Sequence, residues 1–338
     1  MDLFVNSFGT YLGKHSERIV IRQKGQEAIE VPIEAVSHVW VAAKGVSLST
    51  DLIALAHAHE VTITLLSDTG EPYGRLESFA ALGRPELRRA QLLATQEARG
   101  MDLSRQIIQT KLKNQRANLC YYAKGRKQAQ PDNYDALMTA AERIKVKVDD
   151  VSALPLQDVE AYRATLMGHE GQAAKYYWSA LRQILPTSLA FPGRVYPKAQ
   201  DVVNACLNYG YGILYGLAWS AILRVGLDPY AGFLHGSKQG APALVFDFVE
   251  EFRQLVVDRS LLGSLLKRWT PDFMEGEAGI LTAHSRQEMA QKVLNTLDKA
   301  VPWEGKSIAL RDVLLRKAYN LRDFIQQGAV YTPFTASW

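Results

Sequence analysis

The spacing of apolar residues changes once along the chain, near residue 85, and this change constrains the fold most. Over the first eighty or so residues, apolar side chains recur at every second position, which is typical of half-buried strands. Beyond it they recur every three or four positions, which is typical of amphipathic helices. With 338 residues, 47% of them hydrophobic, the chain can build two cores. We therefore predict an α+β protein with a small β-rich domain at residues 1–85 and a larger all-α domain at residues 86–338.

Local signals place elements in the first half. Alternation on both sides of Lys24-Gly25 predicts a hairpin over Arg18–Ile33. A short helix is expected over Thr50–Glu60, with Ser49 or Thr50 as its N-cap. Further strands are predicted at residues 36–42, 61–66 and 72–78.

The second half is predicted to be helical to about Gln327. Its first helix is expected to run without a break from Gln91 to Lys124, and the polar residues 123–135 indicate a solvated loop. Residues 202–223 carry no charge and are long enough to cross a bilayer. Their two asparagines, three glycines and three tyrosines favour a helix buried in a globular domain instead.

Composition excludes several classes of protein. Cys120 and Cys206 lie far apart, so neither a disulfide framework nor a zinc cluster is supported, and a reducing, cytoplasmic location is expected. The N-terminal segment lacks the pattern of a signal peptide, and no GxxxxGK[ST] nucleotide-binding motif occurs. The net charge of +4 permits a polyanionic partner without requiring one.

Glu170 stands out because it falls on an otherwise apolar helical stripe. That stripe consists of Leu166, Ala173, Tyr177, Ala180 and Ile184. A carboxylate in such a place is costly unless it is paired or binds a cation. An ion pair with a Lys or Arg, or a stripe that turns so that Glu170 is exposed, would explain it without a ligand role.

Two further patches lie close together in sequence. His235 sits in a glycine-rich turn, where an imidazole can bind metal, act as a base or simply form hydrogen bonds. On the helix that follows, Asp247, Glu250 and Glu251 are expected to share one face and to repel one another. Alanine at position 247 is therefore predicted to leave folding intact. An acidic face is also what an ordinary surface helix presents.

Together, these acids and the histidine suit Mg²⁺ or Mn²⁺ better than a structural zinc site. Basic residues occur in the same segments, as phosphodiester chemistry requires. Those predicted to bind DNA are Lys175, Arg194, Lys198, Arg224, Lys238, Arg253 and Arg259. Of these, Lys175, Lys238 and Arg253 are expected to lie nearest the scissile phosphates.

The order of these motifs resembles the family of CRISPR-associated spacer-acquisition integrases, the universal first member of the Cas protein set. The similarity is carried by the glutamate motif Leu166–Leu181, the segment Asp201–Gly236, and "LVFDFVEEFRQLVVDR" at Leu244–Arg259. The opening Leu3–Ile21 and the terminal Tyr331–Phe334 also fit.

The resemblance implies a β-sandwich-like N-terminal domain, a helical catalytic domain and a homodimer. It implies two such dimers assembling with a small ferredoxin-like Cas partner on double-stranded DNA, as a heterohexamer-type complex in the prokaryotic cytoplasm. The implied catalytic residues and metal ligands are Glu170, His235 and Asp247. Glu250 falls on a second acidic position, where some members have Asp. Asn204 and Tyr215 match positions near the family's active site.

The implied reaction is a transesterification dependent on Mg²⁺ or Mn²⁺. The 3′-hydroxyl of a short foreign DNA, the prespacer, attacks a phosphodiester at the leader-proximal CRISPR repeat, and a second attack follows on the opposite strand. Two alternatives stay open at this point. One is a standalone metal-dependent nuclease acting on branched or single-stranded DNA. The other is a catalytically silent DNA-binding scaffold.

Overall fold

The computed structural model of the chain describes residues 1–76, 84–155, 158–236, 239–274 and 279–335. The chain forms two units, each assembled from separated segments. The first combines Met1–Ala81, Tyr196–Gly216 and Pro271–Leu294; the second combines Leu82–Val195, Leu217–Thr270 and Asn295–Trp338. The domain boundary between residues 85 and 86 stays a prediction.

The alternating N-terminal sequence of the first unit forms two four-stranded sheets. The first has the order β1 (Asp2–Val5), β5 (His38–Val41), β7 (Thr62–Leu66), β8 (Pro72–Leu76), with only β8 antiparallel to its neighbour. The second has the order β4 (Ile29–Pro32), β3 (Arg18–Arg22), β2 (Tyr11–His15), β6 (Ser47–Leu48). Because one buried cluster includes Leu3, Leu12, Ile19 and Ile63, the two sheets share a core, as in a sandwich.

The local predictions for this region are confirmed. The hairpin pairs β3 with β4, and β5 and β7 lie within the predicted strand segments. Helix α1 (Thr50–Ala58) begins after Ser49, whose hydroxyl oxygen accepts a hydrogen bond from the Leu52 N–H at 3.2 Å. Residues 77 and 78, predicted to continue β8, lie outside the described residues.

The uncharged segment forms helix α7 (Val202–Arg224), and its glycines have a packing role. A Cβ placed on Gly212 would lie 1.8 Å from the carbonyl oxygen of Gly70, and Gly216 lies against the Trp40 indole. The helix therefore approaches the β7–β8 turn and strand β5 more closely than any side chain allows. No helix in the described part of the chain is long and apolar enough to cross a membrane.

Gly212→Ala is expected to lower the free energy of unfolding by about 1–3 kcal/mol, because the methyl group forces backbone apart at this contact. Chemical denaturation measures the change. Gly168→Ala, on an exposed helical position with no atom within 4 Å of the added carbon, is the matched control. It should stabilise by up to about 1 kcal/mol. Equal effects of the two substitutions would contradict the close packing of α7.

The second unit is mainly helical, which confirms the predicted fold class. Its helices are α2 (Pro85–Ala94), α3 (Ala98–Ala123), α4 (Arg126–Ala129), α5 (Pro131–Ser152), α6 (Val159–Ile184), α8 (Ala243–Val249), α9 (Arg259–Leu265) and α11 (Leu310–Gln327). A hairpin of this unit pairs β11 (Ala300–Trp303) with β12 (Lys306–Ala309). In the first unit, a smaller hairpin of β9 (Phe273–Met274) and β10 (Ile280–Leu281) precedes helix α10 (Ala283–Leu297), which ends in the second unit. Helices α3, α5 and α6 pack on one another.

Three predictions for this half were wrong. The long first helix is broken between α2 and α3, and Gly100 allows the carbonyl of Ala94 to approach closely. Most of the supposed loop at residues 123–135 is helical, because Pro131 starts α5 at the N-terminal position that proline favours. The acidic helix is also not continuous: α8 ends at Val249, and a short π-helix, Gln254–Asp258, precedes α9.

Candidate active site

Asp247 organises the histidine turn. Its carboxylate, fully buried on α8, accepts backbone N–H bonds from Phe233 at 2.5 Å, Leu234 at 3.0 Å and His235 at 2.9 Å. It also contacts the Nδ1 of His235 at 2.6 Å. These four contacts use the acceptor positions of a carboxylate. The carboxylate requires a proton on Nδ1, which leaves Nε2 as the acceptor nitrogen of a neutral imidazole.

A buried lysine joins two other acids. The Nζ of Lys111, on α3, lies 2.7 Å from Glu170 on α6 and 2.7 Å from Glu250, the residue that follows α8. Arg253 approaches Glu250 at 3.3 Å. Glu170 thus lies in an ion pair with a lysine, one of the arrangements expected for a carboxylate on an apolar stripe. The stripe itself is buried as predicted.

The opposite charges in this cluster stabilise the charged forms of one another. Burial by itself would lower the pKa of Lys111, but the negative charges of Glu170 and Glu250 have the larger effect, so the pKa of Lys111 is raised. Burial likewise favours neutral Glu250, but Arg253 and Lys111 outweigh it and lower the pKa. For His235, burial is outweighed by its bond to Asp247 and by the charges of Asp247 and Glu250, so its pKa is raised. Glu250 therefore acts electrostatically on both the histidine turn and the lysine.

Glu251 points to a different partner from its neighbours. Its buried carboxylate accepts the hydroxyl of Tyr331 and the backbone N–H of Phe334, the latter at 2.5 Å. Asn114 donates to the Glu251 carbonyl at 3.0 Å and to the Phe334 carbonyl at 3.3 Å. Glu251 therefore fastens the C-terminal segment. The prediction that Asp247, Glu250 and Glu251 share one face was wrong, since their carboxylates contact the histidine turn, Lys111 and the C-terminal segment respectively. The alternative of an ordinary exposed acidic face is also excluded, since all three are buried.

The sequence reasoning missed the polar side chains of α3. Asn118 donates to the Tyr177 hydroxyl at 2.7 Å, and that hydroxyl donates to Asp258 at 2.9 Å, so the three tie α3, α6 and the π-helix together. Lys111, Asn114 and Asn118 form a buried polar row at helical spacing on α3. This row of polar residues on a long amphipathic helix was the available signal.

The predicted DNA-binding residues are scattered. Arg253 contacts Glu250, and Arg259 lies 3.8 Å from the ring centre of Tyr121. Lys238 lies outside the described residues. The other four are exposed or partly exposed: Lys175, Arg194, Lys198 and Arg224. Their contacts with DNA stay predictions.

Asn204 and Tyr215 both belong to the first unit. The carboxylate of Asp201 accepts bonds from the backbone N–H of Asn204 at 2.9 Å and from its side-chain amide at 2.6 Å, at the start of α7. Tyr215 stacks on Tyr211 with ring centres 6.4 Å apart. Their place near an active site stays a prediction.

The carboxylates of Glu170 and Glu250 and the imidazole of His235 would suit a hard divalent cation if Lys111 moved away from the two acids. Among the residues described, no group of three or more His, Cys, Asp or Glu side chains is gathered closely enough to hold a metal. However, the carboxylates of Glu170 and Glu250 already converge on one cation, the ammonium of Lys111. Two carboxylates and an imidazole nitrogen are ligands that Mg²⁺ and Mn²⁺ accept.

Comparison with known proteins gives one consistent family. The sequence model described as CRISPR associated protein Cas1 matches residues 3–295. A relative from Archaeoglobus fulgidus, named CRISPR-associated endonuclease Cas1 1, is 34% identical over the full length of both chains.

Solved structures with the same fold include two assemblies. One is a casposase bound to an integration product, with a TM-score of 0.82 and 20% identity over 99% of this chain and 93% of that one. The other is a Cas6-RT-Cas1–Cas2 complex, with a TM-score of 0.80 and 18% identity over 100% of this chain and 36% of that one. The name of the full-length relative supports an enzyme of the nuclease class. The chain belongs to the family of CRISPR-associated protein Cas1.

Proposed function

We propose that this chain is the integrase of CRISPR adaptation, joining short foreign DNA to the CRISPR repeat with Mg²⁺ or Mn²⁺. The observation that carries the proposal is the convergence of Glu170 and Glu250, from separate elements, on one buried cation position. The charge of Glu250 contributes to the raised pKa of His235, which supports including the histidine turn in the same site. A nuclease-class relative over the full length supports this assignment.

The residues divide into ligands and a positioning group. Glu170, Glu250 and the Nε2 of His235 would hold the ion. Asp247, which the resemblance implied as a ligand, would instead orient the imidazole through Nδ1, as carboxylates commonly do beside metal-bound histidines. If the ion took its place between the two carboxylates, Lys111 would be available to the phosphate, which an ammonium binds as a point charge. When bound, the ion neutralises charge that builds on the scissile phosphate.

The reaction exchanges one phosphodiester for another. The oxygen of the prespacer 3′-hydroxyl bonds to phosphorus, the bond from that phosphorus to the repeat's 3′-oxygen breaks, and the hydroxyl proton is lost to the leaving oxygen or to water. Because one phosphodiester replaces another, no nucleotide is consumed. The buried position of Glu250 and the fixed Asp247–His235 pair keep the charged groups in place for this exchange.

The proposed partners are double-stranded DNA, a second copy of this chain and a small ferredoxin-like Cas2 protein. Two structures of similar fold support the Cas2 and DNA partners: one is described as containing Cas1 and Cas2, and the other as bound to an integration product. The net charge of +4 is compatible with a DNA partner. The second candidate function is a standalone nuclease, which the endonuclease name of the relative favours.

A joining reaction separates the two functions. A labelled duplex with free 3′-hydroxyls is incubated with this chain, the Cas2 partner and a supercoiled plasmid carrying the repeat. The proposal expects label in the plasmid with Mg²⁺ or Mn²⁺, none with EDTA, and none when the 3′-ends are dideoxy. Cleavage of the plasmid without incorporation of label would favour the nuclease and reject the integrase.

A further inference from the structure

The second unit contains a cavity of about 820 Å³ in which all the charged side chains of the described lining are basic. They are Lys124, Arg126, Arg259, Lys267 and Lys299. They come from the α3–α4 connection, from α9 and the residues after it, and from the connection between α10 and β11. Three separate parts of the chain thus bring five cations to one concave surface.

Five cations around one concavity favour the binding of an anion. Like charges around one concavity repel, and low-dielectric walls focus the positive potential into it. No acidic side chain is among the lining residues that the structure describes. An anion with several negative oxygens would relieve the repulsion, and the hydroxyls of Ser260 and Ser264 on the same wall are further polar contacts for it.

One wall of the cavity is aromatic. The guanidinium of Arg259 lies 3.8 Å from the ring centre of Tyr121, and it lowers the pKa of the Tyr121 hydroxyl. Tyr122 beside it donates to the Arg259 carbonyl at 3.2 Å, and Arg126 donates to the Tyr122 carbonyl. An Arg–Tyr stack of this kind offers a planar surface to a nucleobase.

We propose that this cavity is a nucleotide-binding site, in which the basic side chains hold the phosphates and the Tyr121–Arg259 stack contacts the base. Its volume is within the range of small-molecule sites, about 300–1,000 Å³. Lys111 and Tyr121 are ten residues apart on α3, or about 15 Å at 1.5 Å per residue, so the cavity is distinct from the carboxylate site. The nucleotide is either free or the end of a nucleic-acid strand, and the second case rests on the proposed function.

Binding is measured by calorimetry on the full-length chain in EDTA, which removes any contribution of a divalent cation. The probes are deoxyadenosine 5′-monophosphate, deoxyadenosine, inorganic phosphate and a 5′-phosphorylated single-stranded pentanucleotide. The nucleotide or the strand is expected to bind more tightly than phosphate or the nucleoside, because only they engage both walls. Binding of the monophosphate identifies a free nucleotide as sufficient, and binding of the pentanucleotide alone identifies a strand end.

Charge reversal tests the location. Lys267→Glu and Lys299→Glu are each expected to weaken binding by about tenfold or more, since each replaces a charge-assisted phosphate contact with repulsion. Both lysines are exposed, so folding should be retained. Lys24→Glu, an exposed hairpin lysine in the first unit, makes the same charge change and should leave affinity unchanged. The proposal is overturned by no binding of nucleotide or strand, by equal binding of phosphate, or by equal losses in all three variants.

Discussion

Asp247→Ala is expected to lower the free energy of unfolding by about 2–4 kcal/mol and to reduce DNA joining by about 10-fold to 100-fold. The carboxylate accepts three backbone N–H groups and the His235 ring, and its removal leaves these buried donors without their acceptor. Urea denaturation and the joining assay measure the two effects. The structure thereby reverses the sequence-based prediction for this substitution, because Asp247 is satisfied by donors and not strained by repulsion.

A matched control distinguishes this network from the loss of any carboxylate. Asp149→Ala removes an exposed acid that pairs with Lys145 at 3.4 Å. Exposed pairs of this kind contribute about 0–1 kcal/mol, so little change is expected. Wild-type stability of Asp247→Ala in the same experiment would contradict the role assigned to this carboxylate.

Glu250→Gln and Glu251→Gln are expected to affect different properties, although the two residues are adjacent. At position 250 the loss of charge removes a cation ligand, and joining should fall by at least about 100-fold. The fold should be retained, because Lys111 keeps Glu170 as a partner. Joining yields and melting temperatures of both variants, measured side by side, provide the test.

At position 251 the main effect should be on stability. The carboxylate accepts hydrogen bonds from Tyr331 and Phe334. Its charge is also the largest of those that oppose the lowering of the Lys317 pKa by burial. Losing this buried charge should lower the melting temperature and make the C-terminal segment more sensitive to protease, with joining at permissive temperature within about tenfold of wild type. Loss of joining at an unchanged melting temperature would instead place Glu251 in the catalytic site.

The sequence pattern was sufficient for much of the fold. The change of spacing near residue 85 separated strands from helices, and Ser49 and the α6 stripe were identified from local rules. Patterns could not show that residues 196–216 and 271–294 join the first unit, because that depends on contacts between distant segments. The close approach of Gly212 to Gly70 is such a contact.

The site was predictable as a set of residue types but not as a set of roles. The three acids at 247, 250 and 251 look alike on a helical wheel, yet a break after α8 directs them to a turn, a lysine and the C-terminal segment. Lys111 lies fifty-nine positions before Glu170, so no local spacing connects them. Its burial and its two partners become visible only in the folded chain.

Direct measurement of Mn²⁺ binding tests the central claim, that Glu170 and Glu250 converge on a cation position. Titrations followed by electron paramagnetic resonance would compare wild type with Glu170→Gln, Glu250→Gln and Glu251→Gln at a temperature where all four are folded. One tight site is expected in the wild type, retained in Glu251→Gln and weakened at least about tenfold in the other two. Unchanged Mn²⁺ affinity in Glu170→Gln and Glu250→Gln would contradict it.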